Sequence, residues 1–152
     1  MAGSMADSDL ADLYRRQREP MIRFARLLAG SGGVAEEIVQ EAFLKLHQLD
    51  ERPRNPDGYL RTVVANLARS HLRRLGVERR MPAGRRIIVG DPEIDETWAA
   101  VCRLPFRQRA VLALRFYEDL PEADIARILD CRLGTVKSSL HRGLSKLREE
   151  LS

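Results

Sequence analysis

The stretch EADIARILDCRLGTVKSSLHRGL, from Glu122 to Leu144, decides how the rest of the chain is read. Ile125, Ala126 and Leu129 share one face of a short helix, and DCRL (Asp130 to Leu133) forms a turn. Val136, Leu140 and Leu144 then recur about one helical turn apart on a second helix. The small residue at 126 lets the two helices cross closely, with Ile125, Leu129, Val136 and Leu140 filling the angle between them. This is helix-turn-helix form, in which the second helix enters the major groove of DNA. With Val136, Leu140 and Leu144 inward, the outward positions are Thr135, Lys137, Ser138, His141, Arg142 and Lys146. Lys137 and Arg142 can donate to guanine acceptors, and Thr135 and Ser138 can reach phosphates or bases. Arg132, in the turn, is expected beside the sugar-phosphate backbone. The bland alternative is a helical hairpin with a solvated face, but here a turn, a small crossing residue and a basic face coincide.

Working outward, Leu147 and Leu151 extend the apolar stripe towards the C-terminus. Upstream, a short helix is expected around Trp98 to Arg103. Leu104–Pro105 restarts a helix with proline in its first turn and with Val111, Leu114 and Tyr117 inward. A further helix is expected from Pro121 to about Leu129. Residues 76–96 contain three glycines, two prolines and few periodic apolar positions, which marks a linker. It is basic first and acidic later (Asp91, Glu93, Asp95, Glu96), and Arg85 to Gly90 is a lone β-like run.

Three more helices precede that linker. The first, Ser8 to Ala29, carries Leu10, Leu13, Tyr14, Met21, Phe24, Ala25 and Leu28 at helical period and is expected to kink or split at Pro20. After the turn Gly30 to Gly33, a helix from Val34 to Leu49 lines up Val34, Ile38, Ala42, Leu46 and Leu49. After the proline-containing loop Asp50 to Gly58, a third helix is expected from Gly58 to Leu75. Asp57 is its candidate N-cap, Leu60, Val63, Val64, Leu67 and Leu72 its buried side, and Gly76 its closing residue. Sustained period-two alternation is missing. The predicted fold class is therefore all-α, with two small helical domains, 8–75 and 98–152, around a linker at 76–97.

Composition agrees. A length of 152 residues suits one medium domain or two small ones, and 44% hydrophobic residues suffice for packed cores. Aromatic residues at 5% argue against a large aromatic-lined pocket. No apolar run approaches the roughly 18 residues of a membrane span. Residues 1–8 lack the basic start and apolar stretch of a signal peptide, and MAGSM is either native or an expression scar ahead of Met5. Cys102 and Cys131 are far apart in sequence, as are His47, His71 and His141. A disulfide framework or structural zinc site is not expected, and a reducing cytoplasm fits. The net charge of +4 conceals two dense patches. Seven arginines and one glutamate lie between Arg69 and Arg86, and five basic residues and no acid between Arg132 and Arg148. Such clusters are the electrostatic footprint of polyanion binding when a motif accompanies them.

The segment LPFRQRAVLALRFYEDLPEADIARILDCRLGTVKSSLHRGLSKLREEL (Leu104 to Leu151) resembles region 4 of the extracytoplasmic-function sigma factors of bacterial RNA polymerase. The specific match is GTVKS followed by HRGLSKLRE. VAEEIVQEAFLKL (Val34 to Leu46) resembles region 2.2 of that family, and YLRTVVANLARSHLRR (Tyr59 to Arg74) resembles regions 2.3 and 2.4. Together the matches cover roughly four-fifths of the chain in the family's order. The family usually has Asp where Ser70 stands, often Trp where His47 stands, and commonly Glu-Ile-Ala where this chain has Asp124-Ile125-Ala126.

The resemblance implies a region 2 helical bundle and a region 4 helix-turn-helix joined by a flexible linker, with no further C-terminal domain. It assigns the face built from Arg132, Thr135, Lys137, Ser138, His141, Arg142 and Lys146 to the duplex minus-thirty-five element. Region 2 is implied to melt and capture the minus-ten element as a single strand, which needs cations along the strand and a pocket for an extruded base. Arg61, Arg69, Arg73 and Arg74 suit the first task. Arg52, Arg54 and Asn55 in the loop, with Tyr59 and Asn66, suit the second. The alternatives are local backbone satisfaction for Asn66 and core packing for Tyr59. Glu37, Gln40, Glu41 and Lys45 are implied to dock on the polymerase clamp helices, and region 4 on the flap. The linker's basic start and acidic end are expected to follow template strand and protein channel. Partners implied are core RNA polymerase, promoter DNA and an anti-sigma factor, with no cofactor, metal or catalytic residue. The competing reading is a stand-alone helix-turn-helix regulator on operator DNA, which has no need of the 34–74 helices. A nucleic-acid enzyme would have to rely on Glu36, Glu37 and Glu41, which have no companion His or Asp motif.

Overall fold

The computed structural model describes residues 2–30, 32–79 and 96–152, and all their side chains except those of 2–7, 32, 77–79 and 98. Every regular element among these residues is helical: α1 (Ala2–Ala29), α2 (Gly32–His47), α3 (Pro56–Arg79), α4 (Glu96–Cys102), α5 (Phe106–Leu112), α6 (Glu122–Leu129) and α7 (Leu133–Leu151). A π-helical turn, Ala113–Tyr117, continues α5. The linker's β-like run at 85–90 and the acids Asp91, Glu93 and Asp95 lie outside the described residues, while Glu96 opens α4.

Helices α1, α2 and α3 pack on one another as a bundle. Its centre is Met21, Phe24, Leu28, Ala42, Leu46, Leu60 and Val64, all at 1% exposure or less. Pro20 does not split α1, which runs unbroken across it. Burial of Met21, Ile22, Phe24 and Ala25 immediately afterwards holds the helix together despite the lost backbone hydrogen bond. Helix α3 begins earlier than expected, with Asn55 rather than Asp57 as its cap. The Gly58 N–H donates to Asn55 Oδ1 at 3.1 Å, and Pro56 occupies the first helical position. Asp57 instead accepts hydrogen bonds from Gln17 (2.7 Å) and Arg16 (3.1 Å), tying α3 to α1. Gly76 does not end α3, which continues to Arg79. Helix α2 stops at His47, so Leu49 is exposed rather than part of its apolar stripe.

Helices α4 to α7 form the second half. Asp119 takes φ 56° after the π turn, and Asp130 takes φ 51° after α6. Cys131 N–H donates to Ala126 O at 3.0 Å and Asp130 N–H to Arg127 O, a Schellman closure that turns the chain into α7. Val136 is fully buried against Ile125 and Leu129, as the motif requires, whereas Leu151 is exposed.

Gly143 marks the crossing of α7 over α5. A Cβ there would meet Leu112 Cδ1 at 3.0 Å and Gln108 Cβ at 3.5 Å. Gly143→Ala is expected to be nearly neutral, because up to about 1 kcal/mol of helix propensity offsets a shift of a few tenths of an ångström. Gly143→Leu is expected to cost about 1–3 kcal/mol by overpacking. Urea denaturation of the two variants checks this, and equal stabilities would contradict the close approach.

The two halves are not separate in space. Helix α3 packs on α6, and α1 packs on α4, α5 and the π turn. One apolar core runs from Leu13 in α1 to Val136 in α7.

Candidate nucleic-acid interface

Helix α7 presents the outward face that its spacing prescribes. Arg132, Lys137, Ser138, His141, Arg142 and Lys146 are exposed and Thr135 is half-buried, while Val136, Ser139 and Gly143 are buried on the other side. Buried Ser139 escaped the sequence reading because a serine gives no hydrophobic signal. Lys137 Nζ lies 3.0 Å from Glu122 Oε1, an ion pair linking α7 to the first turn of α6. The Ser138 hydroxyl donates to the Thr135 carbonyl at 3.2 Å, within its own helix. Arg132, His141, Arg142 and Lys146 make no ion pair among the described residues. Arg132, Arg142 and Lys146 make the face electropositive, and His141 is exposed beside them. Asp124 and Arg127 pair on α6, beside this face.

On α3 the predicted residues divide. Asn66, Arg73 and Arg74 are exposed, as are Arg54 and Asn55 in the loop, and Arg52 is half-buried. Asn55 and Tyr59, with Arg61 and Thr62, line a cleft of about 360 Å³ whose far wall is Leu120, Asp124, Arg127 and Ile128. Tyr59 also packs against the core, so its aromatic body is structural as well. Arg61 faces the second half of the chain instead of solvent, and Arg69 lies half-buried against it. Arg61 Nε donates to Glu118 Oε1 at 2.7 Å, and the two side chains are only 15% and 7% exposed. The Arg69 guanidinium lies 5.2 Å from the centre of the Phe106 ring. Burial, and then the neighbouring Arg107 and Arg73, hold its pKa below the usual arginine value. Glu118, Phe106 and Arg107 were not singled out from sequence, since no local pattern reports a partner so far along the chain, 57 residues in the case of Arg61 and Glu118.

On α2, Glu37, Gln40, Glu41 and Lys45 form an exposed polar row, with Leu44 in their midst at 53% exposure. Leu44 was missed because it falls off the helix's buried stripe. Tyr14, also exposed, meets Phe43 edge-on at 5.0 Å.

Both cysteines are free. Cys102 is buried, its thiol 3.9 Å from the Leu27 carbonyl, and burial raises its pKa against the opposing influence of Arg109 and Arg103. Among the described residues no group of three or more His, Cys, Asp or Glu could hold a metal ion. No helix among them is long and apolar enough to cross a membrane.

A helix-turn-helix with an open basic face, preceded by a three-helix bundle with cations along its last helix, defines a protein of DNA-binding class. Family models place it further: sigma-70 region 2 matches residues 13–77, and sigma-70 region 4 matches residues 94–147. An RNA polymerase sigma-E factor of Streptomyces coelicolor is 30% identical, over 94% of this chain and 86% of its own. An ECF RNA polymerase sigma factor EcfG of Rhodopseudomonas palustris is 34% identical, over 84% of this chain and 77% of its own. The ECF RNA polymerase sigma factor SigE of Mycolicibacterium smegmatis is 29% identical over 93% of this chain, which spans 61% of that protein's length. A co-crystal structure of the sigma factor RpoE with the anti-sigma factor NepR from Bartonella quintana has the same fold. Its TM-score is 0.71 at 24% identity, covering 92% of this chain and 96% of that one. The chain belongs to the ECF family of RNA polymerase sigma factors. Membership makes it a transcription initiation factor rather than an enzyme, so Glu36, Glu37 and Glu41 are read as a helix face.

Proposed function

We propose that the chain binds core RNA polymerase in the cytoplasm and directs it to promoters through two DNA-reading faces. Residues 8–75 act as the minus-ten unit and 98–152 as the minus-thirty-five unit, joined through 76–97. The observation that carries this is the open cationic face of α7, with Arg132, His141, Arg142 and Lys146 unpaired among the described residues. Lys137 and Ser138 join that face from partly satisfied positions. Asn66, Arg73 and Arg74 form the accessible part of the second face, with Arg54 and Asn55 beside them. Arg61, Arg69 and Tyr59 belong to the same face, and Arg52 immediately precedes Pro53 of the cleft lining. The exposed row Glu37, Gln40, Glu41 and Lys45, with Leu44, suits a helix-on-helix contact with the polymerase clamp, and an anti-sigma factor competes for the same surfaces.

Run-off transcription tests the proposal. With core polymerase the chain is expected to give promoter-dependent transcripts, and alone to bind duplex DNA feebly, more so as salt rises. Salt-resistant binding of the free chain to duplex DNA, with no transcript from added core, would point to a stand-alone regulator and reject it.

A further inference from the structure

A pocket of about 500 Å³ lies between α3 and α5. Its lining is Arg69, Leu72, Arg73, Phe106 and Arg107, with no acid among them. Arg69 and Arg73 stand one helical turn apart on α3, a spacing at which like charges repel. Arg107 enters from α5 and belongs to neither proposed DNA face. Burial, followed by the charges of Arg107 and Arg73, lowers the Arg69 pKa. The Phe106 ring holds the Arg69 guanidinium at 5.2 Å, and the Arg109 guanidinium lies 5.8 Å from the same ring. Arg109 serves the fold, since its Nη1 donates to the Cys102 carbonyl at 2.8 Å. Arg69, Arg73 and Arg107 make no ion pair among the described residues. A solvated basic surface needs no pocket and gains nothing from gathering like charges around a half-buried guanidinium.

We propose that this pocket binds a small anion with two or more linked phosphate groups, held by Arg69 and Arg73 from α3 and by Arg107 from α5. A guanidinium presents a planar fork of N–H donors that matches phosphate oxygens in pairs. A cleft lined by charge of one sign between apolar walls focuses the field and concentrates counter-ions, and Leu72 and Phe106 supply the apolar walls. Charge density selects among phosphates. A nucleic-acid strand carries one negative charge on each phosphate and spaces them along its backbone. A diphosphate or triphosphate group concentrates several charges in one place, which suits three arginines around one pocket. The anion also cancels the mutual repulsion of those arginines, so binding stabilises the fold that gathers them. Linked phosphates come from a nucleotide or from free polyphosphate, which share this chemistry. The inference stands apart from the promoter reading, because it concerns the chain without polymerase and turns on Arg107.

Isothermal titration calorimetry on the full-length chain tests the site, with sodium tripolyphosphate as probe and no divalent cation present. The wild type is expected to bind tripolyphosphate at least about tenfold more tightly than orthophosphate, a ratio that one added charge-assisted hydrogen bond supplies. Arg107→Ala is expected to weaken tripolyphosphate binding about tenfold by the same reasoning. Arg107→Lys, which keeps the charge but loses the fork, should fall between. Arg148→Ala removes an equal charge from outside the pocket lining and is expected to change little. Arg107 is exposed, so its variants should match the wild type by circular dichroism. Adenosine and guanosine triphosphates separate the sources. Binding at least as tight as that of tripolyphosphate marks a nucleotide site, weaker binding marks a site for free polyphosphate, and either upholds the phosphate-chain pocket. No binding of tripolyphosphate, equal losses in Arg107→Ala and Arg148→Ala, or orthophosphate bound as tightly would each reduce the pocket to diffuse attraction and overturn the proposal. A loss of oligothymidylate binding in Arg107→Ala as large as the loss of tripolyphosphate binding overturns it in favour of a nucleic-acid strand. Run-off transcription tests the promoter reading separately from all of these outcomes.

Discussion

Phe24→Ala is expected to remove about 3–5 kcal/mol of stability, the range for emptying an aromatic site in a packed core. Phe24 is completely buried in α1 and lies in the core to which α2 and α3 contribute Ala42, Leu46, Leu60 and Val64. The three helices already interlock there, so neighbours cannot collapse far into the vacated space. Against a total of roughly 5–15 kcal/mol for an ordinary domain, that loss is a large share. For a chain of this size the melting temperature should fall by about 6–20 °C. Tyr14→Ala, on the same helix but with its side chain exposed, is expected to cost far less. Thermal or urea unfolding followed by circular dichroism decides, and a Phe24→Ala loss below about 1 kcal/mol would mean that α1 is not clamped in the bundle. Helix α1 also packs on α4, α5 and the π turn. The variant should therefore loosen the second half as well, which a bundle isolated from its neighbour would not do.

The parts of the molecule that sequence reports well are those where one residue's neighbours in the chain are its neighbours in space. The apolar repeat of α7 is of this kind: Val136, Leu140 and Leu144 define an inside, so His141, Arg142 and Lys146 must be outside. The short α6 and its turn are equally local, because Asp130 needs only a residue that tolerates a positive φ after a helix end. Helix ends were less legible for the opposite reason. Gly76 has open space around its Cβ position and lies in a helix that simply continues past it. Asp57 has the chemistry of a cap, but Arg16 and Gln17 claim its carboxylate from α1 and leave the capping to Asn55. Pro20 carries a local instruction to break α1 that the surrounding core overrides.

The division of the α3 cations into open and covered sets was the least legible feature. Nothing in the order of residues near Arg61 indicates Glu118, and nothing near Arg69 indicates Phe106. Their meeting depends on how two amphipathic units that each look self-sufficient share one core. Sequence could supply the list of candidate contacts to DNA, but only the packing shows that Arg61 is paired with Glu118 and that Arg69 lies against Phe106.

Arg142→Ala is expected to lower promoter-dependent run-off transcription by about ten- to a hundredfold, from the roughly 1–3 kcal/mol that a bidentate base contact contributes. Arg142 combines three properties that its neighbours on α7 hold only in part. It is exposed, it makes no ion pair among the described residues, and its planar fork can reach the two major-groove acceptors of guanine at once. Lys137 is already tied to Glu122, so Lys137→Ala releases a pre-existing pair as well as a DNA contact and should cost less. Ser138 has its hydroxyl satisfied within the helix and should cost less still. Because the Arg142 side chain is exposed, the variant should melt like the wild type, which separates loss of recognition from loss of fold. Arg142→Lys keeps the charge but not the fork, so it should restore little if the contact is to a base and much if it is to a phosphate. The salt dependence of duplex binding by the holoenzyme distinguishes the same two cases, since loss of a phosphate contact lowers the slope by about one. Full run-off activity in Arg142→Ala would remove this side chain from the reading face and leave Arg132, His141 and Lys146 to account for it.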